Sequence, residues 1–396
     1  MKRCLIITFA LLLLMSMSSF ATNTRVLTMG GTNNVMLDEA NIWLYPSRIA
    51  NYPDLAIGEF SQAASEIGRN PFTNFGFHWS HGENNKHVEA AYISTLPAVY
   101  PVDFFGNLLV PFDSPLLDNR LFEAFSARRF STVTLGVLLS FFQSSQKWEV
   151  TSDVTSVEEI ESFRHYNFLF SLTPNTGLWD IALGYGFGNW TDRLAGVDLT
   201  RPDGYHHVML MGRYFWQRKP SITNVPHIGF LYGKRGVKDY LNNTDKNTMT
   251  AFDIGFGTNY TPVNDAFIVT DFGLQYAKAK KEVDITGLPD EEHSESAVAM
   301  YLLAGLDAKV FDWLDLRLGG TSILQFGSSE DIIEPLSWKY TRAYYSNDTY
   351  LGFGFHWGDL HVDTYTDPNL FLKGFNFISG ETTSMNFQIS ALYEIM

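Results

Sequence analysis

Between Leu178 and Trp190 the chain reads LWDIALGYGFGNW, with Trp179, Ile181, Leu183, Tyr185 and Phe187 on one parity and Asp180, Ala182, Gly184, Gly186 and Gly188 on the other. A period of two belongs to a β-strand, here with one apolar face and one small or polar face. The pattern recurs: Phe252, Ile254 and Phe256 oppose Asp253, Gly255 and Gly257. Val298, Met300, Leu302, Ala304, Leu306 and Val310 oppose Tyr301, Gly305, Asp307 and Lys309. Near the C-terminus Phe387, Ile389, Ala391, Tyr393 and Ile395 alternate with Asn386, Gln388, Ser390 and Glu394. The runs are about 10 to 14 residues long, against about 5 or 6 for soluble strands and about 9 to 11 for a tilted strand crossing a bilayer. The reading is an all-β transmembrane antiparallel β-barrel over residues 71–396, with about fourteen strands.

The connections alternate in length as well. TPNTG, RKPSITN, PVND, FDW and GD are short, whereas 144–163, 281–296 and 327–347 are long and polar. Bacterial outer-membrane barrels have short periplasmic turns on one rim and longer loops on the other. One stretch breaks the rule: 97–131 contains Pro97, Pro101, Pro111 and Pro115, which cannot donate to a ladder. It is expected to be an irregular insert at the periplasmic side.

The start of the chain reads as a secretory signal over 1–21, with Lys2 and Arg3, an apolar run from Leu5 to Met15, and Ser19-Phe20-Ala21 as the cleavage site. Cys4, the only cysteine, lies inside it, so disulfides and thiolate chemistry are not expected beyond it. A formal net charge of −15 argues against a nucleic-acid partner. The implied location is the bacterial outer membrane, with outer-membrane lipids and lipopolysaccharide as surroundings.

Residues 22–70 precede the first expected strand and are apolar yet rich in turns. Exposing Ile42, Trp43, Leu44 and Tyr45 to water would cost about 25 cal/mol per Å², so burial inside the lumen as an N-terminal plug is the cheaper outcome. Gly30-Gly31 and Pro46 would supply the bends. Asp38 and Glu39 would then need cationic partners, for which Arg213, Arg317 and Lys309 fall on the inward parity beside Asp253 and Asp307.

In the order Arg25, Met29-Gly30-Gly31, Asp38-Glu39 and Pro46-Ser47, the same segment resembles the opening of the FadL-like outer-membrane transporters for hydrophobic compounds and their relatives in type IX secretion. KVFDWLDLRLGG, Lys309 to Gly320, is similar to a short turn of such barrels. The resemblance implies a fourteen-stranded barrel, a plug that includes Met29, Gly30, Gly31, Asp38, Glu39, Trp43, Leu44, Tyr45 and Pro46, and passage of apolar molecules through the wall.

Other chemistry is sparse. In FHWSH, His78 and Ser80 share a face and His81 opposes them, a pattern expected of residues at the lipid headgroup level. Tyr205, His206 and His207 are read as rim residues. Asp290, Glu291, Glu292, His293 and Glu295 read as a solvated loop, and Lys278, Lys280 and Lys281 as contacts for lipopolysaccharide phosphates. No phosphate-binding, dinucleotide, zinc-protease or nucleophile-elbow motif occurs. The chain is therefore expected to be no enzyme and to need no cofactor or metal. Passive uptake of hydrophobic or amphipathic small molecules is the leading expectation; docking of secreted or surface proteins through the long loops is the alternative. Trp313 and Trp357 are expected at the periplasmic rim.

Overall fold

The computed structural model describes residues 23–31, 33–62, 72–82, 86–94, 119–151, 156–194, 197–198, 200–239, 244–284, 291–333, 336–366 and 387–395. The signal region lies outside them. The strands are β1 (Leu55–Gln62), β2 (Phe72–His81), β3 (His87–Ser94), β4 (Asn119–Arg129), β5 (Val133–Thr151), β6 (Ser156–Pro174), β7 (Trp179–Leu194) and β8 (Thr200–Tyr214). They continue as β9 (Ile222–Asp239), β10 (Thr244–Val263), β11 (Ala266–Asp284), β12 (Glu291–Phe311), β13 (Leu314–Ile333), β14 (Leu336–Trp357), β15 (Leu360–Thr366) and β16 (Phe387–Glu394). Val197–Asp198 adds a two-residue ladder to β7, and Trp216–Lys219 prolongs β8 along β9. Each strand pairs antiparallel with its sequence neighbours, and β1 joins both β16 and β2, with Leu55 opposite Glu394 and Ala56 opposite Phe77. The sheet is a closed barrel of sixteen strands.

Two of these strands correct the sequence reading. β1 lies within 22–70 and β4 within 97–131, so the barrel begins at Leu55 and the irregular insert is shorter than expected. β1 is hidden because LAIGEFSQ is short and carries Gly58 and Glu59 among its apolar residues. β4 is hidden behind the prolines, although Leu121, Glu123, Phe125 and Ala127 face inward and Phe122 outward. With both strands the barrel has sixteen, and the count stays even. Residues 95–118 lie outside the described residues, and 130–132 is the short turn that joins β4 to β5.

The strands are also longer than expected. β11 to β14 run for 19, 21, 20 and 22 residues. Glu291–Glu295 therefore belongs to β12, and most of 281–296 and 327–347 consists of paired strand extending past the apolar band. Polar side chains on both faces mask the period of two there, while backbone pairing continues regardless.

The exterior is apolar: Phe252, Ile254 and Phe256 of β10, Phe272 and Leu274 of β11, and Met300 and Leu302 of β12 are all exposed. At the short-turn rim Phe311, Trp313, Phe355 and Trp357 form a row with ring centroids 5.6, 6.4 and 5.6 Å apart. The ladder between β8 and β9 is interrupted beside Pro226. Arg213 pairs with His227 and Trp216 with Asn224, but Tyr214 and Phe215 have no partners in Val225 and Pro226. Proline has no N–H to give a ladder, and Phe215 donates its N–H to the Leu178 carbonyl at 2.7 Å instead.

Candidate functional site

Residues 23–54 pack against inward-facing side chains from strands all round the barrel. A helix, α1 (Asn23–Thr28), ends at Gly30 and Gly31, whose φ angles of 79° and 76° are those glycine adopts without strain. A Cβ on Gly30 would stand 2.8 Å from the Gly320 carbonyl and 2.9 Å from that of Ala304, so the turn lies against the wall of β12 and β13. Asp38 caps a 3-10 turn, Glu39–Trp43: its carboxylate accepts from the Ala40 N–H at 3.1 Å, and its own N–H donates to the Asn41 side chain at 3.1 Å. Pro46 opens a second 3-10 turn, Pro46–Asn51, at the position where a missing N–H costs nothing.

Burial of the segment is nearly complete. Met29, Trp43, Leu44, Tyr45 and Pro46 are all buried. Trp43 donates through Nε1 to Glu123 at 2.8 Å and meets Tyr92 and Phe125 edge-on at 5.0 and 6.0 Å. Ser47 is held by Ser171 and Thr173 at 2.6 and 2.7 Å. Arg48 grips Asp180 with Nε and Nη2 at 2.8 and 3.0 Å, and Arg213 reaches the same carboxylate at 2.7 Å. Arg213 also donates to the carbonyls of Asn33, Asn34 and Met36, and its guanidinium lies 4.4 Å over the Tyr45 ring.

The charge partners differ from those expected. Asp38 pairs with Arg25 of its own segment at 3.4 Å, and not with Arg213, Arg317 or Lys309. Arg25 in turn bonds Asp307 at 2.8 Å. Arg317 is taken by Asp307, Asp315 and Asp363, and Lys309 by Asp312 in the adjoining turn at 2.9 Å. The reason is geometric: wall arginines have wall carboxylates on their own or nearby strands, whereas Asp38 has a cation thirteen residues back in the same compact segment. Burial pushes the Asp38 carboxyl up to about 6, with Arg25 opposing that shift, and it raises Glu39 further, with Asp38 adding to the effect.

Sequence reasoning missed Arg48, Asp363 and His227. Arg48 stands among apolar residues with no period to flag it. His227 bridges Asp253 at 3.1 Å and Asp271 at 3.0 Å, which gives Asp253 a wall partner. Other residues lie elsewhere than expected. His78 faces the lumen, buried, with its ring nitrogens on the Tyr52 carbonyl and the Tyr92 hydroxyl. Ser80 donates to Asp54 at 2.7 Å, so His78 and Ser80 are not bonded to each other. His206 points outward to Tyr185 at 2.9 Å, whereas His207 is buried in the lumen and is no rim residue. Lys280 pairs with Glu282 and Glu292, and Lys281 with Asp245.

A cavity of about 770 Å³ opens over the gap between β8 and β9, lined by outward-facing Trp179, Ile181, Tyr214, Pro226, Ile228 and Phe256. Asp180, Arg213 and His227 lie on the strands that line it, with their side chains buried on the inner face.

No family model matches the chain, and no curated protein matches it. Among solved structures it is similar to CdiB from Escherichia coli, with a TM-score of 0.46, 10% identity, and coverage of 86% of this chain and 63% of that one. The toluene transporter TodX of Pseudomonas putida gives a TM-score of 0.40 at 10% identity, covering 97% of this chain and 100% of that one. The siderophore receptor PirA of Pseudomonas aeruginosa gives 0.33 at 8% identity, covering 86% and 80%. The chain thus spans less than two thirds of CdiB. These likenesses assign no function, and the barrel stands on its own strand registers.

Proposed function

We propose that this barrel spans the outer membrane of a bacterium and admits hydrophobic or amphipathic small molecules passively, with residues 23–54 as a lumenal plug. The observation that carries the reading is the apolar cavity at the Pro226 gap. It opens on the outward, apolar surface, and the same strands carry on their inner face Asp180 and Arg213, which hold the N-terminal segment. An apolar solute partitioned in lipid would meet an apolar entrance there, while water and ions would meet a lumen filled by protein. The FadL-like resemblance of the opening residues agrees with this reading, and catalysis has no place in it.

The test uses vesicles carrying lipopolysaccharide on the outer leaflet, with the full barrel and a variant lacking residues 25–50. The full barrel should speed entry of a small aromatic hydrocarbon over protein-free vesicles and exclude small sugars. The deletion should let sugars through. Free sugar passage in the full barrel, or hydrocarbon entry no faster than through lipid alone, would sink the proposal.

A second reading is favoured by one feature, the β13–β14 hairpin, where Trp338, Tyr340, Tyr344 and Tyr345 are exposed far from the short-turn rim. Such a surface suits docking of a secreted or surface protein. Hydrocarbon entry unaffected by trimming 328–341 would keep that role separate from transport.

A further inference from the structure

We infer that the lumen face of β6, β7 and β8 binds one late first-row divalent ion, such as Zn²⁺ or Cu²⁺, between His165 and His207. Parity turns both imidazoles inward, and register places them round the glycines of β7. Asn167, Gly186 and His207 form one row across the three strands, and His165, Gly188 and Tyr205 form the next. Ser171 and Thr173, which hold Ser47, lie further along β6 toward the short-turn rim, so the N-terminal segment leaves this patch to itself.

Gly186 makes the convergence possible. A Cβ at that position would stand 2.1 Å from His207 Cε1, 2.6 Å from its Nδ1 and 2.7 Å from His165 Nε2, so both imidazoles bring a nitrogen to the space left by the missing side chain. The ring centroids are 5.2 Å apart at 35°. Two imidazoles on one tetrahedral ion, each at about 2.0–2.1 Å, bring their ring centres to a similar separation.

Burial supplies a second, independent observation. His207 is 2% exposed, and among the described residues neither of its ring nitrogens has a hydrogen-bond partner. The Asn167 carbonyl oxygen, on a buried side chain, also has none. Buried polar atoms are nearly always satisfied, so these point to a missing ligand. The contrast is the His356–His361 pair, where the two Nδ1 atoms meet at 2.7 Å and His356 Nε2 is held by Asp315 at 2.7 Å.

The donor set selects the ion. Neutral imidazole suits zinc, copper and nickel, whereas calcium and magnesium require oxygen. Among the described residues no group of three or more His, Cys, Asp or Glu is arranged for a metal. The site is therefore a two-imidazole one, its remaining positions left to the Asn167 oxygen and lumenal water. Arg235, the nearest inward cation by register, pairs with Tyr205, which separates it from His165 in that row.

The experiment is a Zn²⁺ titration of the chelator-treated, full-length barrel in detergent by calorimetry, with Cu²⁺ electron paramagnetic resonance to count bound nitrogens. The wild type should take one tight equivalent showing two imidazole nitrogens. His165→Ala and His207→Ala should each weaken it on the order of 100-fold or more, while His206→Ala, on the outer face, and His356→Ala leave it unchanged. Gly186→Ala keeps both histidines but fills the space between them, and should lose the ion while remaining heat-modifiable on gels. No tight equivalent in the wild type, an equivalent that survives either single-histidine variant, or an unaltered nitrogen signal in Gly186→Ala overturns the inference.

Discussion

At the scale of single residues, the lumen is held by shared carboxylates. Asp180 serves two buried guanidiniums, Arg48 from the N-terminal segment and Arg213 from β8. Breaking a buried ion pair by removing one partner leaves an uncompensated charge and costs about 3–5 kcal/mol. Asp180→Ala should therefore lower unfolding stability by about that much in urea, whereas Lys280→Ala, which removes a solvent-exposed pair, should change it by about 0–1 kcal/mol. The Asp38–Glu39 pair carries a pH dependence whose sign follows from the direction of the shift. A carboxyl raised to about 6 in the docked segment, against 3.8 when free, holds a proton that the released segment has lost. Between those values docking strengthens as pH falls, and Glu39, raised further, carries the same dependence on to higher pH. Hydrogen exchange of 23–54, corrected for intrinsic rates, should show protection rising from pH 7 to pH 4.5. An Asp38→Asn, Glu39→Gln double variant should be flat across that range.

At the scale of elements, the aromatic row Phe311, Trp313, Phe355 and Trp357 marks where the strands leave the apolar band. Amphipathic indole rings settle at the headgroup level. Emission from Trp313 and Trp357 should accordingly be quenched more by an interfacial lipid probe than by one at the bilayer centre; the opposite order would remove the row from the interface. β1 and β4 teach a second point about elements. Leu121, Glu123, Phe125 and Ala127 alternate inward with Phe122 facing out, so β4 was legible in its residues. The prolines upstream conceal it, although they bar a ladder only as far as Pro115 and say nothing of the residues beyond. β1 had no such clue. Its eight residues become a strand because β16 and β2 offer hydrogen-bonding edges on both sides.

At the scale of the whole molecule, closure decides stability. β16 pairs with both β15 and β1, so it seals the two ends of the sheet to each other. A barrel without edges satisfies every backbone group internally. The intact protein should run as a heat-modifiable band with a β-rich circular dichroism spectrum. Deleting 387–396 should abolish that band, because β1 and β15 are then left as open edges.

The sequence by itself determined the class of fold and the facing of most strands. An alternation of two residues sustained for ten or more needs only local geometry, and its apolar face has to meet an apolar surrounding. The short turns followed for the same reason, and so did the burial demand of Trp43, Leu44 and Tyr45. Tertiary structure alone decided the number of strands, since a strand as short as β1 exists only where two edges receive it. It also decided the ionic partners: Arg25 for Asp38, Arg48 and Arg213 for Asp180, and Asp363 for Arg317. The convergence of His165 and His207 over Gly186 belongs to the same class. Each of these pairings joins residues that parity can turn inward but that only the register of neighbouring strands, or the path of a segment within the lumen, can bring to contact distance.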